Sequence, residues 1–298
     1  EKMVTVKTHD YILFFSNKGR IYRMKGYEVP EFSRQSKGLP IINLLQLEKD
    51  ENVSSIISLS ADNEEHKYLV FVTKNGIIKR TELSEFDNIR KSGKIAITLK
   101  EDDELIYVGV TTGNDEIAIG SNNGRMVRFN EDEVRVMGRT ASGVKGIELD
   151  DSKVIGAEVL KQNQLILIVT ENGYGKKSEI DEYRLTHRGS KGVKALNITD
   201  KNGMMVALKC VNPENESDLM IMTDSGVIIK LPLEQVSTLK RATQGIRLIN
   251  LKDDQKVSTV AIVDKEDDTE ENSENEEQSS VEKNISSEEN TQTNEISK

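Results

Sequence analysis

The chain has 298 residues, with 51 acidic and 41 basic side chains and a formal net charge of −10. Residues 264–298 hold 13 Asp and Glu against three Lys, so residues 1–263 hold 38 side chains of each sign. The overall negative charge therefore does not exclude a nucleic-acid partner for residues 1–263. No apolar run approaches the ~18 residues of a membrane helix, no secretory leader opens the chain, and Cys210 is the single cysteine, which together predict a soluble cytoplasmic protein.

The end of the chain, from Asp264 to Lys298, is predicted to be a disordered acidic tail. It consists mainly of Glu, Asn, Ser, Asp and Gln, a composition that cannot bury enough apolar surface to offset the entropy of ordering. Such a tail solvates the chain or competes electrostatically for a basic surface. At the other end, Glu1 in place of an initiator Met suggests a fragment of a longer protein.

Residues 1–263 are predicted to form an all-β domain. Short runs of Val, Ile, Leu and Phe have the length of strands, and each ends in a turn rich in Asn and Gly, as expected of tight hairpins. The clearest runs are Tyr11–Phe15, Tyr68–Val72, Leu165–Val169 and Leu219–Met222. Long amphipathic helical patterns are absent from the sequence.

The strands belong to five sequence repeats, each aligned on a turn glycine. The spacings between these glycines are 57, 48, 49 and 53 residues, and the glycines are Gly19, Gly76, Gly124, Gly173 and Gly226. Recurrence near 50 residues is typical of propeller blades, each built from four strands. The last two strands of a repeat are predicted, for example, at Leu39–Leu47 and Val53–Leu59, and at Ile246–Leu251 and Val257–Val263.

Basic residues recur at two fixed places in these repeats. A cation follows each turn glycine by four residues: Arg23, Arg80, Arg128, Lys177 and Lys230. An Arg-x-x-x-Gly element begins fifteen residues after the glycine in four repeats, giving Arg34, Arg139, Arg188 and Arg241, with Lys37, Lys145 and Lys191 close by. Because equivalent offsets occupy equivalent places in a ring of blades, these twelve residues predict a cationic belt that binds phosphates.

Such a belt favours duplex DNA over single strands. Aromatic residues make up only 4% of the chain, whereas single-strand binding depends on aromatic faces for base stacking. Binding through phosphates is expected to tolerate any sequence and to weaken steeply with salt.

A catalytic or metal site is not predicted. The three histidines, His9, His66 and His187, occupy different repeat positions or linkers and form no known ligand or catalytic motif. The chain is accordingly expected to bind no cofactor of its own.

Several stretches of the chain give it a resemblance to a known family. They include Thr8-His-Asp-Tyr-Ile-Leu, Met137-Gly-Arg-Thr-Ala-Ser-Gly-Val-Lys-Gly and Thr243-Gln-Gly-Ile-Arg-Leu-Ile. From about Lys2 to Val263 the chain resembles the C-terminal domain of the A subunit of bacterial DNA gyrase. The resemblance implies a six-bladed, strand-exchanging β-pinwheel, propeller-like in outline, that wraps DNA around its rim with a fixed hand. Wrapping of this kind supports ATP-dependent negative supercoiling by double-strand passage in the whole enzyme.

The resemblance also implies which partners the chain has and which catalytic parts lie outside it. The partners are double-stranded DNA, the rest of the gyrase A polypeptide and the B subunit, in an A2B2 assembly near the nucleoid. The catalytic tyrosine, the ATPase site and its Mg²⁺ belong to other parts of that type II topoisomerase. The basic box of the family, Gln-Arg-Arg-Gly-Gly-Lys-Gly, has no exact copy here, and the nearest stretch is His187–Gly192. With five turn repeats, the expectation is a six-bladed pinwheel that lacks part of its first blade.

Two alternatives remain open at this point. One is the C-terminal domain of the topoisomerase IV A subunit, which guides decatenation and substrate choice. The other is a propeller that binds protein partners and has no affinity for DNA.

Overall fold

The computed structural model describes residues 6–33, 35–60, 65–252 and 254–265. Contacts between Cα atoms divide the chain into two units, Glu1–Val263 and Asp264–Lys298, and the first contains the five repeats. Nearly all of the acidic tail lies outside the described residues, so its disorder and the domain limits stay predictions. Among the described residues, no helix has the length and apolar character needed to cross a membrane.

Nineteen strands are formed by the residues that the structure describes. Those of the first two repeats are β1 (Tyr11–Ser16), β2 (Arg20–Lys25), β3 (Val53–Leu59), β4 (Tyr68–Thr73), β5 (Ile77–Glu82), β6 (Lys94–Ile95) and β7 (Leu105–Thr111). The third repeat forms β8 (Glu116–Ser121), β9 (Arg125–Asn130), β10 (Val144–Lys145) and β11 (Val154–Leu160). The fourth forms β12 (Leu165–Thr170), β13 (Tyr174–Glu179), β14 (Val193–Lys194) and β15 (Met205–Val211). The fifth forms β16 (Ser217–Thr223), β17 (Ile228–Pro232), β18 (Ile246–Arg247) and β19 (Val257–Asp264).

The helical residues that the structure describes are confined to short 3₁₀ turns. They are Gly26–Glu28, Ile41–Asn43, Leu83–Phe86, Glu131–Glu133, Ile180–Glu182 and Leu233–Gln235. Five of the six directly follow the second strand of a hairpin. The all-β prediction is therefore confirmed.

A tight hairpin opens every repeat at the predicted glycine. Gly19 has φ +75° and Gly226 has φ +81°, values that favour glycine because a Cβ atom is strained there. At Gly19 a Cβ atom would also lie 2.6 Å from the carbonyl oxygen of Ile97, whereas at Gly226 nothing lies within 4 Å. The turn of the first blade is therefore in close contact with the second repeat, and the turn of the fifth blade is open.

In each of the first four sheets, the outer strand is supplied by the following repeat. The sheet orders are β3-β1-β2-β6 for blade 1, β10-β5-β4-β7 for blade 2, β11-β8-β9-β14 for blade 3 and β15-β12-β13-β18 for blade 4. Blade 5 has three strands in the order β17-β16-β19. The two-residue strands β6, β10, β14 and β18 are thus exchanged strands, as the resemblance implies.

Consecutive blades stack through shared hydrophobic clusters. Because side chains alternate along a strand, Leu69 and Phe71 of blade 2 face blade 1, and Val70 and Val72 face blade 3. The rings of Phe15 and Phe71 meet edge to face with their centroids 5.8 Å apart. The strands β3, β7, β11 and β15 contact one another along the inner side of this stack. The exchanged strands lie at the opposite sheet edges and so form the outer circumference.

The prediction of six blades is wrong for the residues that the structure describes, which form five sheets. The predicted strand at Leu39–Leu47 is also wrong, because this segment contains the 3₁₀ turn Ile41–Asn43. The equivalent segments of later repeats pair with a preceding blade, and within the described residues the first repeat has none before it. Its apolar side chains Ile41, Leu44 and Leu45 instead pack on the face of blade 1. Similarly, the strand predicted at Ile246–Leu251 is limited to two residues, Ile246 and Arg247.

Candidate nucleic-acid interface

In the first four repeats, the cation that follows the turn glycine contacts the next repeat. Arg128 on β9 donates hydrogen bonds to the carbonyl oxygens of Ile180 and Tyr183, at 2.9 and 3.0 Å. Ile180 is the first residue of the 3₁₀ turn after β13, and Tyr183 is the residue that caps its C-terminal end. Arg23 donates to the carbonyl oxygen of Asp87 in the same way. These side chains therefore bind carbonyl groups of the 3₁₀ turn in the next repeat or of the residue that ends it, and they join adjacent blades.

Two of these cations, Arg80 and Lys177, are each only 8% exposed. Arg80 lies 3.3 Å from the Oε2 atom of the buried Glu131, and Lys177 donates to the carbonyl oxygen of Leu233 at 2.9 Å. Burial lowers the pKa of Lys177. The expectation of a solvent-facing belt is wrong for this pair, because a buried charge is tolerated only where internal partners replace its water.

The remaining members of this set are more accessible. Arg23 and the half-buried Arg128 retain partial exposure, and Arg23 stacks 4.4 Å from the ring centroid of Tyr11. Lys230, on the last blade, is 64% exposed and forms an ion pair of 2.7 Å with Asp218 of its own blade. A phosphate contact from these three residues stays a prediction.

The arginines of the Arg-x-x-x-Gly loops connect one blade junction to the next. Each donates through an NH1 atom to the second residue of the preceding exchanged strand: Arg139 to Ile95 at 2.8 Å, Arg188 to Lys145 at 3.1 Å and Arg241 to Lys194 at 2.8 Å. Backbone bonds accompany them, from Glu148 to Ser190 at 2.9 Å and from Asn197 to Thr243 at 3.0 Å. The loops and exchanged strands therefore form one continuous row along the outer circumference.

We call this row the rim and define it as four segments, 90–95, 139–145, 188–194 and 241–247. The segments contain ten Lys and Arg, no Asp or Glu and no aromatic residue. Residues 1–263 have as many acidic as basic side chains, so the basic residues of the rim are balanced by acidic residues elsewhere. The structure thus places a strip of positive charge at equivalent edges of four blades.

Among the predicted residues, Lys145 and Lys191 are the exposed members of the rim. Both side chains are 56% exposed, and they form ion pairs with Glu148 and Asp150, which lie just outside the rim segments. The guanidinium groups of Arg139, Arg188 and Arg241 are half-buried at the same loops. The structure therefore brings these five predicted residues together.

Lys37 is not brought to the rim, and Arg34 cannot be assigned to it. Lys37 is exposed, but it lies in the first repeat, whose segment forms no exchanged strand, and Arg34 lies outside the described residues. Phosphate contact by either residue stays a prediction.

The structure also reveals basic rim residues that the sequence reasoning missed. Lys194 and Arg247 occupy the position of Lys145, two residues after the loop glycine, and both are exposed. Arg90, Lys91 and Lys94 belong to the second repeat, whose loop is the shortened element Arg90-Lys-Ser-Gly93, and they were not among the predicted contacts. A search for cations at a fixed offset from the loop glycine, rather than from the turn glycine, would have found Lys194 and Arg247.

One pairing on the rim brings two like charges together. In the register of blade 3, Lys194 of β14 lies directly opposite Arg125 of β9, and both residues are exposed. Like charges directly opposite each other destabilise a sheet. An anion held between the two side chains would remove this repulsion.

An open groove of about 630 Å³ lies next to the third rim loop. Arg184, His187 and Lys191 line it together with Glu133, and the His187 Nδ1 atom is 3.3 Å from a Glu133 carboxylate oxygen. Among the described residues, no group of His, Cys, Asp and Glu has the arrangement of a metal site.

Comparison with known sequences matches the repeats directly. The family described as "DNA gyrase C-terminal domain, beta-propeller" matches residues 10–60, 67–112, 115–161, 164–212 and 217–264. The chain is 51% identical over 270 residues to the DNA gyrase A subunit of Staphylococcus epidermidis (strain ATCC 12228 / FDA PCI 1200), covering 90% of this chain and 30% of that protein. It is 50% identical over 274 residues to that of Staphylococcus aureus (strain MRSA252), covering 91% and 31%. The chain thus spans less than a third of these relatives.

Two solved structures share the fold. The crystal structure of the C-terminal domain of DNA topoisomerase IV has a TM-score of 0.78 at 27% identity, covering 91% of this chain and 84% of that chain. The structure of a DNA gyrase A C-terminal domain has a TM-score of 0.71 at 26% identity, covering 86% and 83%. With the five matched repeats, these similarities show that the chain belongs to the DNA gyrase C-terminal domain family.

Proposed function

We propose that this chain is the DNA-binding and DNA-wrapping module of a gyrase A subunit. The observation that carries the proposal is the rim, where ten Lys and Arg occur without any Asp or Glu in four segments at the outer edges of consecutive blades. Duplex DNA presents a regular row of phosphates that such a strip matches.

The rim supports binding to the phosphate backbone rather than to bases. Its segments contain no aromatic side chain on which an unpaired base could stack. Lys, Arg and exposed loop amides contact phosphates without reading sequence. Where Lys194 faces Arg125, a phosphate oxygen would stabilise both charges.

Wrapping needs several blades to act together. Smooth bending of 20–30 base pairs costs on the order of 1–6 kcal/mol, so a contact on a single blade is insufficient. The backbone bonds between loops, such as that from Glu148 to Ser190, hold successive contact points at fixed positions. A rigid curved strip of this kind favours bent DNA over straight DNA.

In the whole enzyme, the wrapped segment would present a DNA crossing of one hand to the strand-passage machinery. Negative supercoiling by double-strand passage then draws on ATP and Mg²⁺ held by other parts of an A2B2 assembly in the cytoplasm, close to the nucleoid. This chain would contribute neither the catalytic tyrosine nor a cofactor site.

The second candidate is the equivalent domain of the topoisomerase IV A subunit, because a solved domain of that enzyme shares this fold at a TM-score of 0.78. That role predicts DNA binding without a chiral wrap. A module that binds protein partners would show no salt-dependent affinity for DNA.

Titration of a duplex with the 298-residue chain in rising salt tests DNA binding. Each phosphate contact contributes about 0.9 to the slope of log affinity against log salt concentration, so a slope of several units is expected. Replacing Lys145, Lys191, Lys194 and Arg247 by Gln should reduce the slope by about 3 to 4.

A matched control variant loses the same number of positive charges at positions away from the rim. Lys74, Lys161, Lys209 and Lys256 lie outside the rim segments and form ion pairs with Glu104, Asp115, Glu158 and Glu171. Their replacement by Gln should leave the salt slope close to that of the unchanged chain. Equal slopes for the rim variant and the control variant would contradict the proposed site.

A further inference from the structure

Two lysines are buried beneath the rim. Lys79 on β5 and Lys176 on β13 occupy the same position, three residues after the turn glycine of their repeats, and both are 0% exposed. Among the described residues neither forms an ion pair within 4.0 Å. Such burial is rare, because an ammonium group loses its hydration inside a protein.

Both ammonium groups donate hydrogen bonds to the arginine loops of the rim. The Lys79 Nζ atom donates to the carbonyl oxygens of Ala96 and Arg139. The Lys176 Nζ atom donates to the carbonyl oxygens of Lys240, at 2.7 Å, and Arg241, and to the hydroxyl of Thr243 at 3.2 Å. In each case an acceptor is the peptide group of the rim arginine itself.

The remaining repeats show that the fold does not require a lysine at this position. Val127 occupies it in the third repeat and Ile229 in the fifth. The loop above Val127 is held differently, since Glu133 accepts bonds from the backbone N–H and the Nε atom of Arg188, at 3.1 and 2.9 Å. Each of these three rim loops therefore has a polar anchor, supplied by a lysine in two cases and by Glu133 in the third.

The lysine anchor has an energetic cost that an apolar side chain would avoid. Desolvation lowers the pKa of Lys79 to about 7 and that of Lys176 to about 8. The nearby positive charges of Arg139 and Arg241 also lower the two values, whereas the negative charges of Glu85 and Glu182 raise them. A residue that is costly to bury, and replaceable elsewhere in the same fold, points to a role of its own.

We propose that Lys79 and Lys176 are positioning residues that fix the Arg139 and Arg241 loops in the conformation that contacts DNA phosphates. The proposal rests on the proposed function of the rim. Each ammonium group fixes the peptide from which the rim arginine extends, because it donates to the carbonyl oxygen of that arginine. The resulting rigidity reduces the entropy that the loop loses when DNA binds.

Amide hydrogen exchange of the chain without DNA tests the anchor directly. In Lys79→Met, residues 139–143 should exchange about tenfold faster, while residues 188–192, anchored by Glu133, stay unchanged. In Lys176→Met the increase should appear at residues 241–245. The control Lys74→Met removes a half-buried lysine of blade 2, paired with Glu104, and should leave all three loops unchanged. Equal acceleration in every loop, or none, would overturn the anchor.

Coupling to DNA binding separates positioning from general stability. Lys79→Met should reduce the salt slope by about 0.9, and it should have no further effect in an Arg139→Ala background. Additive losses in the double variant would show that Lys79 acts independently of Arg139 and would overturn the proposal. Absence of DNA binding by the unchanged chain would refute the proposed function instead, while the exchange experiment would still decide the anchor.

A third variant avoids emptying the buried site. Thr243→Val keeps the lysine but removes one of its acceptors, together with the bond from the Thr243 hydroxyl to the carbonyl oxygen of Lys240. Residues 241–245 should exchange faster in this variant, and Thr243→Ser, which keeps both bonds, should exchange like the unchanged chain. Unchanged exchange in Thr243→Val, with its fold intact, would count against Lys176 as the anchor of this loop.

Discussion

The guanidinium group of Arg139 donates a hydrogen bond to the carbonyl oxygen of Ile95, 2.8 Å away. Ile95 belongs to the strand that the second repeat contributes to blade 1, and Arg139 belongs to the loop that precedes the strand contributed to blade 2. This bond therefore links two successive strand exchanges. The same side chain lies among the basic residues of the rim, so one arginine can join blades and contact a phosphate.

Replacement of Arg139 separates these two roles. Arg139→Ala should lower the free energy of unfolding by about 1–2 kcal/mol, because the hydrogen bond to Ile95 is lost, and should weaken DNA binding. Arg139→Lys keeps the charge but loses the fork geometry, so it should destabilise the chain while keeping most of the salt slope. Urea unfolding and duplex titration measure the two effects. Equal salt slopes for the Ala variant and the unchanged chain would show that Arg139 is only structural.

The buried pair of Arg80 and Glu131 should matter for stability and not for DNA binding. Glu131 is 0% exposed and also accepts bonds from Thr111, Gly113 and Asp115, at 2.6, 2.7 and 2.9 Å. Breaking a buried pair of this kind costs about 3–5 kcal/mol. Arg80→Gln should therefore lower the urea midpoint sharply, and below that midpoint its salt slope for DNA should match that of the unchanged chain. A reduced slope in the folded variant would restore Arg80 as a phosphate contact.

The buried lysines should make stability depend on pH. The pKa of Lys79 is about 7 and that of Lys176 is about 8 in the fold, against an ordinary value of 10.5. Between these values the unfolded chain binds more protons than the folded chain, so the free energy of unfolding contributed by these groups rises with pH. This contribution to the free energy of unfolding is therefore smaller at pH 7 than at pH 9. Urea unfolding of the chain at pH 7, 8 and 9 measures the slope of the free energy of unfolding against pH. The double variant with Lys79→Met and Lys176→Met should have a smaller slope. A slope that is unchanged in the double variant would assign it to other groups.

Removal of the acidic tail should strengthen DNA binding at low salt. Residues 264–298 carry 13 Asp and Glu against three Lys, and a tethered anionic segment competes with phosphates for the same cations. The difference between the full chain and a chain ending at Val263 should be largest at low ionic strength and should shrink as salt screens it. Identical affinities at low ionic strength would leave the tail without a role in binding.

The turn glycines predict much of the fold, because offsets from a single residue define every hairpin. The same offsets could not reveal strand exchange, since the sequence of Val144-Lys145 does not say which sheet this segment pairs with. The five turn repeats agree with the five sheets of the described residues, and the expectation of a sixth blade came from the resemblance. The resemblance, rather than the spacing, supplied the expectation of exchange.

The two cationic sets show how far the register of the repeats specifies the surroundings of a side chain. Arg80 and Lys191 are both basic and both recur in register, yet one is buried beside Glu131 and the other is 56% exposed. Register places a residue in a blade, but the contacts of its side chain depend on the neighbouring repeat. The anchors Lys79 and Lys176 carried no signal in the sequence, because only two of the five repeats have a lysine at that position.

The central claim is that the rim wraps duplex DNA with one hand, and ligation of nicked circular DNA tests it most directly. The full-length gyrase A polypeptide is bound to the nicked circle, the nick is sealed, and the linking number is measured after removal of the protein. The unchanged polypeptide should shift the linking number in one direction. The variant with Gln at Lys145, Lys191, Lys194 and Arg247 should abolish that shift, and the control with Gln at Lys74, Lys161, Lys209 and Lys256 should retain it. No shift with the unchanged polypeptide, or an equal shift with the rim variant, would contradict the account.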